Sequence, residues 1–334
     1  MRFSAYSKED GGGAGKPDIK KAVKKLRTLV IFSKQEPDPF RKKLEQTFAS
    51  VYLPARVECK QVRHGGVPCD VLTPEVVASK RTIIYIHGGS FVGGSRSAWR
   101  SFCASLAAES SSKVILPEYR LAPQYAYPAA LEDIQAVFRD LYIQMQAAGT
   151  SEPELIIAAD GAGGSIALAL IQTLKESYRQ FVRNVILFSP WLDISNNSSC
   201  ATSKKTRDGI ICSECIKRSA DLYTYESNLT NPLVSPLLMS QEKLAEFPPV
   251  YIQCGGNELL LEDIKKFYQR LIDCNCNAVL DVWPSMMFMF QMAHEYLPQA
   301  HFAVQRVGKY IQNFNKKPDD QTEPDWDDYN KEVD

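Results

Sequence analysis

The sequence predicts an α/β protein built on a mainly parallel sheet with helices on both faces. Short apolar runs of strand length recur along the chain, and segments of helix length separate them. The composition, 45% hydrophobic and 23% charged over 334 residues, supplies enough apolar surface for one large core. A parallel strand buried on both faces reads as a near-continuous apolar run. Thr82–Ile86, Lys113–Leu116, Leu155–Ala158, Asn184–Phe188, Val250–Gln253 and Ala278–Val282 read that way.

Helix-length stretches fall near 98–110, 129–147, 162–178, 262–273 and 295–312. Residues 55–72 fit the antiparallel strands that open such a sheet, with a hairpin at His64-Gly65-Gly66. At the front, Ile19, Val23, Leu26 and Val30 recur at helical spacing, which predicts an amphipathic helix from Pro17 to Phe32. A second helix follows Asp38-Pro39 and runs to about Ser50. Residues 192–232, placed after a strand ending at Ser189-Pro190, are polar, rich in Ser, Asn and Cys, and irregular. The expected organisation is a flexible arm over 1–17, one domain over 18–315 with a cap from about 18–50 and 192–232, and a disordered acidic tail over 316–334.

Lys+Arg and Asp+Glu are equal at 39 each, so no net charge points to nucleic acid or an anionic membrane. The charge is uneven, however. Lys16, Lys20, Lys21, Lys24, Lys25 and Arg27 crowd the front, and residues 319–334 are strongly acidic around a lone Trp326. These are either solvated ends or segments that recruit a protein partner. No apolar leader opens the chain and no run reaches membrane-span length, so a cytoplasmic protein with reduced thiols is expected. Among the nine cysteines, Cys212-Ser-Glu-Cys215 and Cys274-Asn-Cys276 lack the four-ligand spacing of a zinc site, and no metal is expected.

Directly after one strand comes Tyr85-Ile-His-Gly-Gly-Ser-Phe-Val-Gly-Gly94, where a glycine pair lets backbone N–H groups turn toward a small space. Then follow Pro117-Glu-Tyr-Arg-Leu-Ala-Pro123, Tyr127-Pro-Ala-Ala-Leu-Glu-Asp133, Ser189-Pro-Trp-Leu-Asp193, Pro232-Leu-Val-Ser-Pro236, Gly255-Gly-Asn-Glu258 and Val282-Trp-Pro284. In that order these motifs resemble the hormone-sensitive-lipase-like branch of the α/β-hydrolases, the HGGG-type esterases, over about residues 55–313. The resemblance implies an eight-stranded sheet with a helical cap. It also implies hydrolysis of carboxylic esters by Ser, an acid and His, with no metal or cofactor.

The catalytic positions depart from that family. Its Gly-Asp-Ser-Ala-Gly-Gly elbow reads Ala159-Asp-Gly161-Ala-Gly-Gly164 here, and matched neighbours on both sides of Gly161 fix the register. Glycine forms no alkoxide, but it reaches positive φ with little penalty, so strain leaves the elbow together with the nucleophile. The family's histidine aligns with Phe288, whose ring carries no nitrogen to accept a proton. Glu258 aligns with the acid, although some members carry theirs at the position of Asn257, and a carboxylate favoured by a helix N-terminus reads equally well.

Substitutes are few. Ser165, Ser90 and Ser285 lie near the expected pocket without a histidine in register, and His294 sits six residues past the expected position. His87 belongs to the oxyanion loop and His64 to the hairpin. By the resemblance, Gly88, Gly89 and Ala162 supply the oxyanion N–H groups, Ser90 replaces a third glycine, and Met286, Met287, Met289 and Phe290 offer apolar surface or core packing. Three functions follow: a non-catalytic protein binding a small apolar molecule with a carboxylate or carbonyl group, an interaction scaffold acting through its charged termini, and a weak or unconventional ester hydrolase.

Overall fold

The computed structural model describes residues 17–49, 53, 56–77, 81–149, 154–202 and 208–313. The arm, except Pro17, and the acidic tail with Trp326 lie outside the described residues. The described chain forms one sheet of eight strands: β1 (Val57–His64), β2 (Val67–Pro74), β3 (Arg81–Ile86), β4 (Lys113–Pro117), β5 (Glu154–Asp160), β6 (Val182–Phe188), β7 (Val250–Gly255) and β8 (Ala278–Trp283). They lie in the order β1-β2-β4-β3-β5-β6-β7-β8. β2 runs antiparallel to β1 and β4, and all other pairs are parallel. The expected α/β class and strand alternation hold.

Every residue of β7 and all but the first of β5 are buried, which requires cover on both faces. That cover comes from the flanking helices Arg96–Ser110, Ala129–Ala147, Gly161–Thr173, Leu261–Asp273 and Pro298–Asn313. At the antiparallel side the buried Asp70 carboxylate accepts from Arg96 Nη1 at 2.6 Å and Arg100 Nε at 2.7 Å, fastening the first of these helices to β2. β1 and β2 turn through Gly65 (φ +57°) and Gly66 (φ +84°), with His64 opposite Val67. A two-residue hairpin with both central residues at positive φ matches strand twist, and glycine supplies it.

The strand order places β3 between β4, the next strand in the chain, and β5. Connections therefore leave in opposite directions beside β3, and a crevice opens at the carboxyl ends of β3 and β5. Both glycine-rich segments, 87–94 and 160–164, issue from those two strand ends.

Two segments differ from expectation. The first helix stops at Leu26, tightens into a 3₁₀ turn over Arg27–Leu29, and becomes extended at Val30. Val30 and Ile31 are buried in that extended run, where Ile31 N–H donates to Ser90 Oγ at 3.2 Å. The region 192–232 is less irregular than its polarity implied, because Ser213–Tyr223 is a helix. Its buried stripe is Cys215, Ile216, Ser219, Ala220 and Tyr223, mostly small residues that carry little hydropathy signal but follow helical spacing. Tyr223 stacks on Phe91 with ring centroids 3.9 Å apart, and Arg218 reaches Gln35 O at 3.4 Å, joining this helix to the glycine-rich loop after β3 and the N-terminal segment. Among the described residues, no helix is long and apolar enough to cross a membrane.

Candidate active site

Gly161 follows β5 directly and opens the helix Gly161–Thr173 with φ +48°. A Cβ built there would lie 3.2 Å from Phe288 Cζ and 3.7 Å from Cε2. The two positions read as nucleophile and base thus face each other, one without a side chain and one carrying an apolar ring. Phe288 is buried, and its backbone N–H donates to Asp208 Oδ2 at 3.0 Å.

One residue before the elbow, the buried Asp160 ties the site together. Its Oδ1 accepts from Trp99 Nε1 at 2.8 Å, Tyr85 Oη at 2.9 Å and Gly88 N–H at 2.9 Å. Burial raises its pKa to about 7, and the three donors oppose that shift without cancelling it.

The Gly88 bond corrects an expectation. The resemblance makes Gly88 an oxyanion donor, yet its N–H donates to Asp160 Oδ1. Gly89 and Ala162 are the remaining expected donors. Ala162 lies in the first turn of its helix, where N–H groups have no intrahelical acceptor and the helix dipole favours negative charge. Beside them, His87 is buried, stacks on Tyr119 with centroids 4.3 Å apart, and places Nδ1 2.9 Å from Gly88 O. Burial pushes its pKa down, so the imidazole is neutral and holds the loop.

Glu258 is fully buried. Its Oε1 accepts from Ser189 Oγ and Gly255 N–H, both at 2.6 Å, while Oε2 has no hydrogen-bond partner among the described residues. Burial raises its pKa to about 8, with the nearby Asp208 carboxylate adding to the shift. At neutral pH Glu258 is therefore mainly the neutral acid. Glu258 lies two residues before Leu260, the N-cap of the helix Leu261–Asp273, and is fully buried there.

Ser189 and Asp208 are site residues the sequence did not single out for a role. Ser189 adopts φ +45°, bonds Glu258, and accepts from Met289 N–H at 3.3 Å. Its place in Ser189-Pro-Trp was the available signal. Asp208 had none, since it stands in a polar stretch and meets Phe288 only through the fold. Burial pushes its pKa up as well.

The proposed substitutes do not reach the elbow. Ser165 is buried with its Oγ donating to Trp191 O at 2.6 Å, and Ser90 Oγ accepts from Ile31. Ser285 is exposed, and His64 Nδ1 pairs with Asp140 Oδ2 at 2.8 Å. His294 is exposed and lines a cavity of about 500 Å3 with Phe48, Phe102 and His301. Met286, Met287, Met289 and Phe290 are all buried and pack as core. Four surface cavities of about 480 to 620 Å3 lie elsewhere: Gly88, Gly89, Gly161, Ala162, Glu258 and Phe288 line none of them.

A mainly parallel sheet with its glycine-rich loop and strand-to-helix elbow at one crevice defines the α/β-hydrolase class. Residues 83–292 match the family described as alpha/beta hydrolase fold, and the chain belongs to it, within its hormone-sensitive-lipase-like branch. It is 28% identical over 275 residues to an esterase of Acinetobacter venetianus, covering 82% of this chain and 88% of that protein. It is also 28% identical over 231 residues to an acetyl-hydrolase of Streptomyces hygroscopicus, covering 69% and 75%. A solved esterase of the bacterial hormone-sensitive lipase family superposes with a TM-score of 0.78 at 26% identity, over 90% of this chain and 99% of that one. The esterase EstE5 does so at 0.79 and 27%, over 89% and 98%.

Two stability predictions follow from the geometry. Gly161→Ser places a Cβ at positive φ and against the Phe288 ring, and is expected to cost about 1–3 kcal/mol, read as a lowered Tm. An unchanged or raised Tm would contradict this. For Glu258, the native pKa of about 8 lies above the unfolded value near 4.3, so between these limits the native state holds a proton the unfolded state has released. This contribution is fully favourable below the unfolded pKa and is lost as pH rises to about 8, with a limiting slope of about 1.4 kcal/mol per pH unit. In urea unfolding, Glu258→Gln is expected to gain stability relative to the parent from pH 5 to 8; a pH-independent difference would exclude a neutral Glu258.

Proposed function

We propose that this chain is a non-catalytic member of the esterase family, acting as a regulatory protein by binding rather than by turnover. The observation carrying this reading is the contact at the elbow. Position 161 has no side chain, and the group 3.2 Å from its would-be Cβ is a phenylalanine ring. Acyl transfer needs a nucleophile activated by a base within hydrogen-bond reach, and neither is present at this pair. The neutral Glu258 supports the reading further, since an acid that orients an imidazole acts as a carboxylate. The names of the relatives describe esterases and an acetyl-hydrolase, and that activity is theirs.

Fluorophosphonate labelling and p-nitrophenyl butyrate turnover test this. The parent is expected to take up no label and to turn over no faster than buffer. Gly161→Ser with Phe288→His is expected to give labelling at position 161. Stoichiometric labelling of the parent would overturn the proposal.

A second reading is binding of a small apolar carboxylate or carbonyl compound at Gly89 and Ala162. It is favoured by the uncapped first helical turn at Ala162, a setting that suits an anion. The Phe288 ring lies 3.2 Å from a Cβ built at Gly161, the residue before Ala162, so a ligand reaching the elbow requires its displacement. In thermal-shift screening with short-chain carboxylates, Phe288→Ala is expected to be stabilised where the parent is not. Flat responses from a folded Phe288→Ala protein would dismiss the ligand. Recruitment of a protein partner through the charged ends has one described feature in its favour: Lys20, Lys24, Arg27 and Lys43 line a groove of about 480 Å3 with Phe32 and Phe40, and no acid lines it among the described residues.

A further inference from the structure

Cys212 and Cys215 lie in a part of the fold that the esterase-like site leaves unused. Cys212 is the N-cap of the helix Ser213–Tyr223 and Cys215 lies in its first turn, with sulfur atoms 2.6 Å apart. That separation is well inside the contact distance of two unbonded sulfurs. The backbone explains the approach. Cys212 is extended, at φ −130° and ψ 163°, so its side chain folds over the first turn toward the third helical position, as an N-cap side chain does. The third position is Cys215.

The two thiols differ in access. Cys212 is half-buried and Cys215 is buried. The chain's other closely spaced pair is oriented differently: Cys274 Sγ bonds Gln241 O at 3.7 Å and Cys276 Sγ bonds Leu244 O at 2.8 Å. Among the described residues, no three His, Cys, Asp or Glu side chains converge, so the pair has no companions to complete a zinc tetrahedron. A facing dithiol with one accessible sulfur is instead suited to thiol–disulfide exchange.

We propose that Cys212 and Cys215 are a redox-active dithiol that low-molecular-weight disulfides of the glutathione class convert to an intramolecular disulfide. The Cys212 thiol loses its proton and attacks one sulfur of the oxidant, breaking that disulfide and expelling the first small thiol, which takes up a proton. The Cys215 sulfur, deprotonated in turn, then attacks Cys212 Sγ and expels the second small thiol. In sum, one small disulfide is reduced to two thiols while two protein thiols become one disulfide. Burial pushes the Cys215 thiol up, which leaves the half-buried Cys212 to meet the oxidant first. The new bond would fix the start of this helix four residues beyond Asp208, the group that holds the Phe288 backbone.

The test uses the full chain, reduced and then incubated with glutathione disulfide, quenched in acid, alkylated and mapped by peptide mass. The peptide carrying both cysteines is expected to lose two hydrogens and to escape alkylation at each. Cys215→Ser is expected to hold Cys212 as a stable glutathione adduct, and Cys212→Ser to leave Cys215 unmodified in the folded protein. A wild-type protein in which Cys212 keeps a glutathione adduct while Cys215 is still alkylated would overturn the proposal, as would both thiols remaining alkylatable. The wild-type map decides the matter without either variant.

Discussion

The site is organised around one buried carboxyl group. Asp160 receives hydrogen bonds from β3 through Tyr85, from the glycine-rich loop through Gly88, and from the first covering helix through Trp99. All three converge on a single oxygen one residue before the elbow. A buried acid with a pKa near 7 is costly to ionise, and three donors oppose that cost only in part. Removing any donor leaves the group less satisfied, so the loop, strand and helix are held in mutual register. The Gly88 N–H is engaged in this bond.

Around this centre the residues at the crevice are interior. Phe288 stands over Gly161, Asp208 holds its backbone, and Ser189 bonds both Glu258 and the Met289 N–H. Among the described residues, one oxygen of the fully buried Glu258 has no partner. An ionised carboxylate there would be unfavourable, and the raised pKa keeps the group neutral instead. Under the proposed reading, losing catalysis and closing the pocket are one change: a ring that cannot act as a base packs against an elbow that bears no hydroxyl.

The central strands were legible because parallel strands covered on both faces must be apolar throughout, and Leu155–Ala159 or Val250–Ile252 carry that signature in any context. The helix Ser213–Tyr223 was not, because its buried stripe is built from Cys, Ser and Ala, whose burial depends on neighbours more than on hydropathy. The first helix ends early for a similar reason. Val30 and Ile31 continue a helical pattern in sequence, but an extended path buries them and brings Ile31 N–H to Ser90.

The sequence by itself determined the α/β class, the order of strands and helices, the family, and the identities of residues 161 and 288, since local patterns and motif register carry all of these. Only the tertiary structure decided that Gly88 faces Asp160, that Glu258 is neutral and half-satisfied, that Asp208 and Ser189 belong to the site, and that two cysteine sulfurs meet. Each of these depends on where a side chain points and how much water reaches it. Those properties arise when distant segments pack, and no single stretch of chain encodes them.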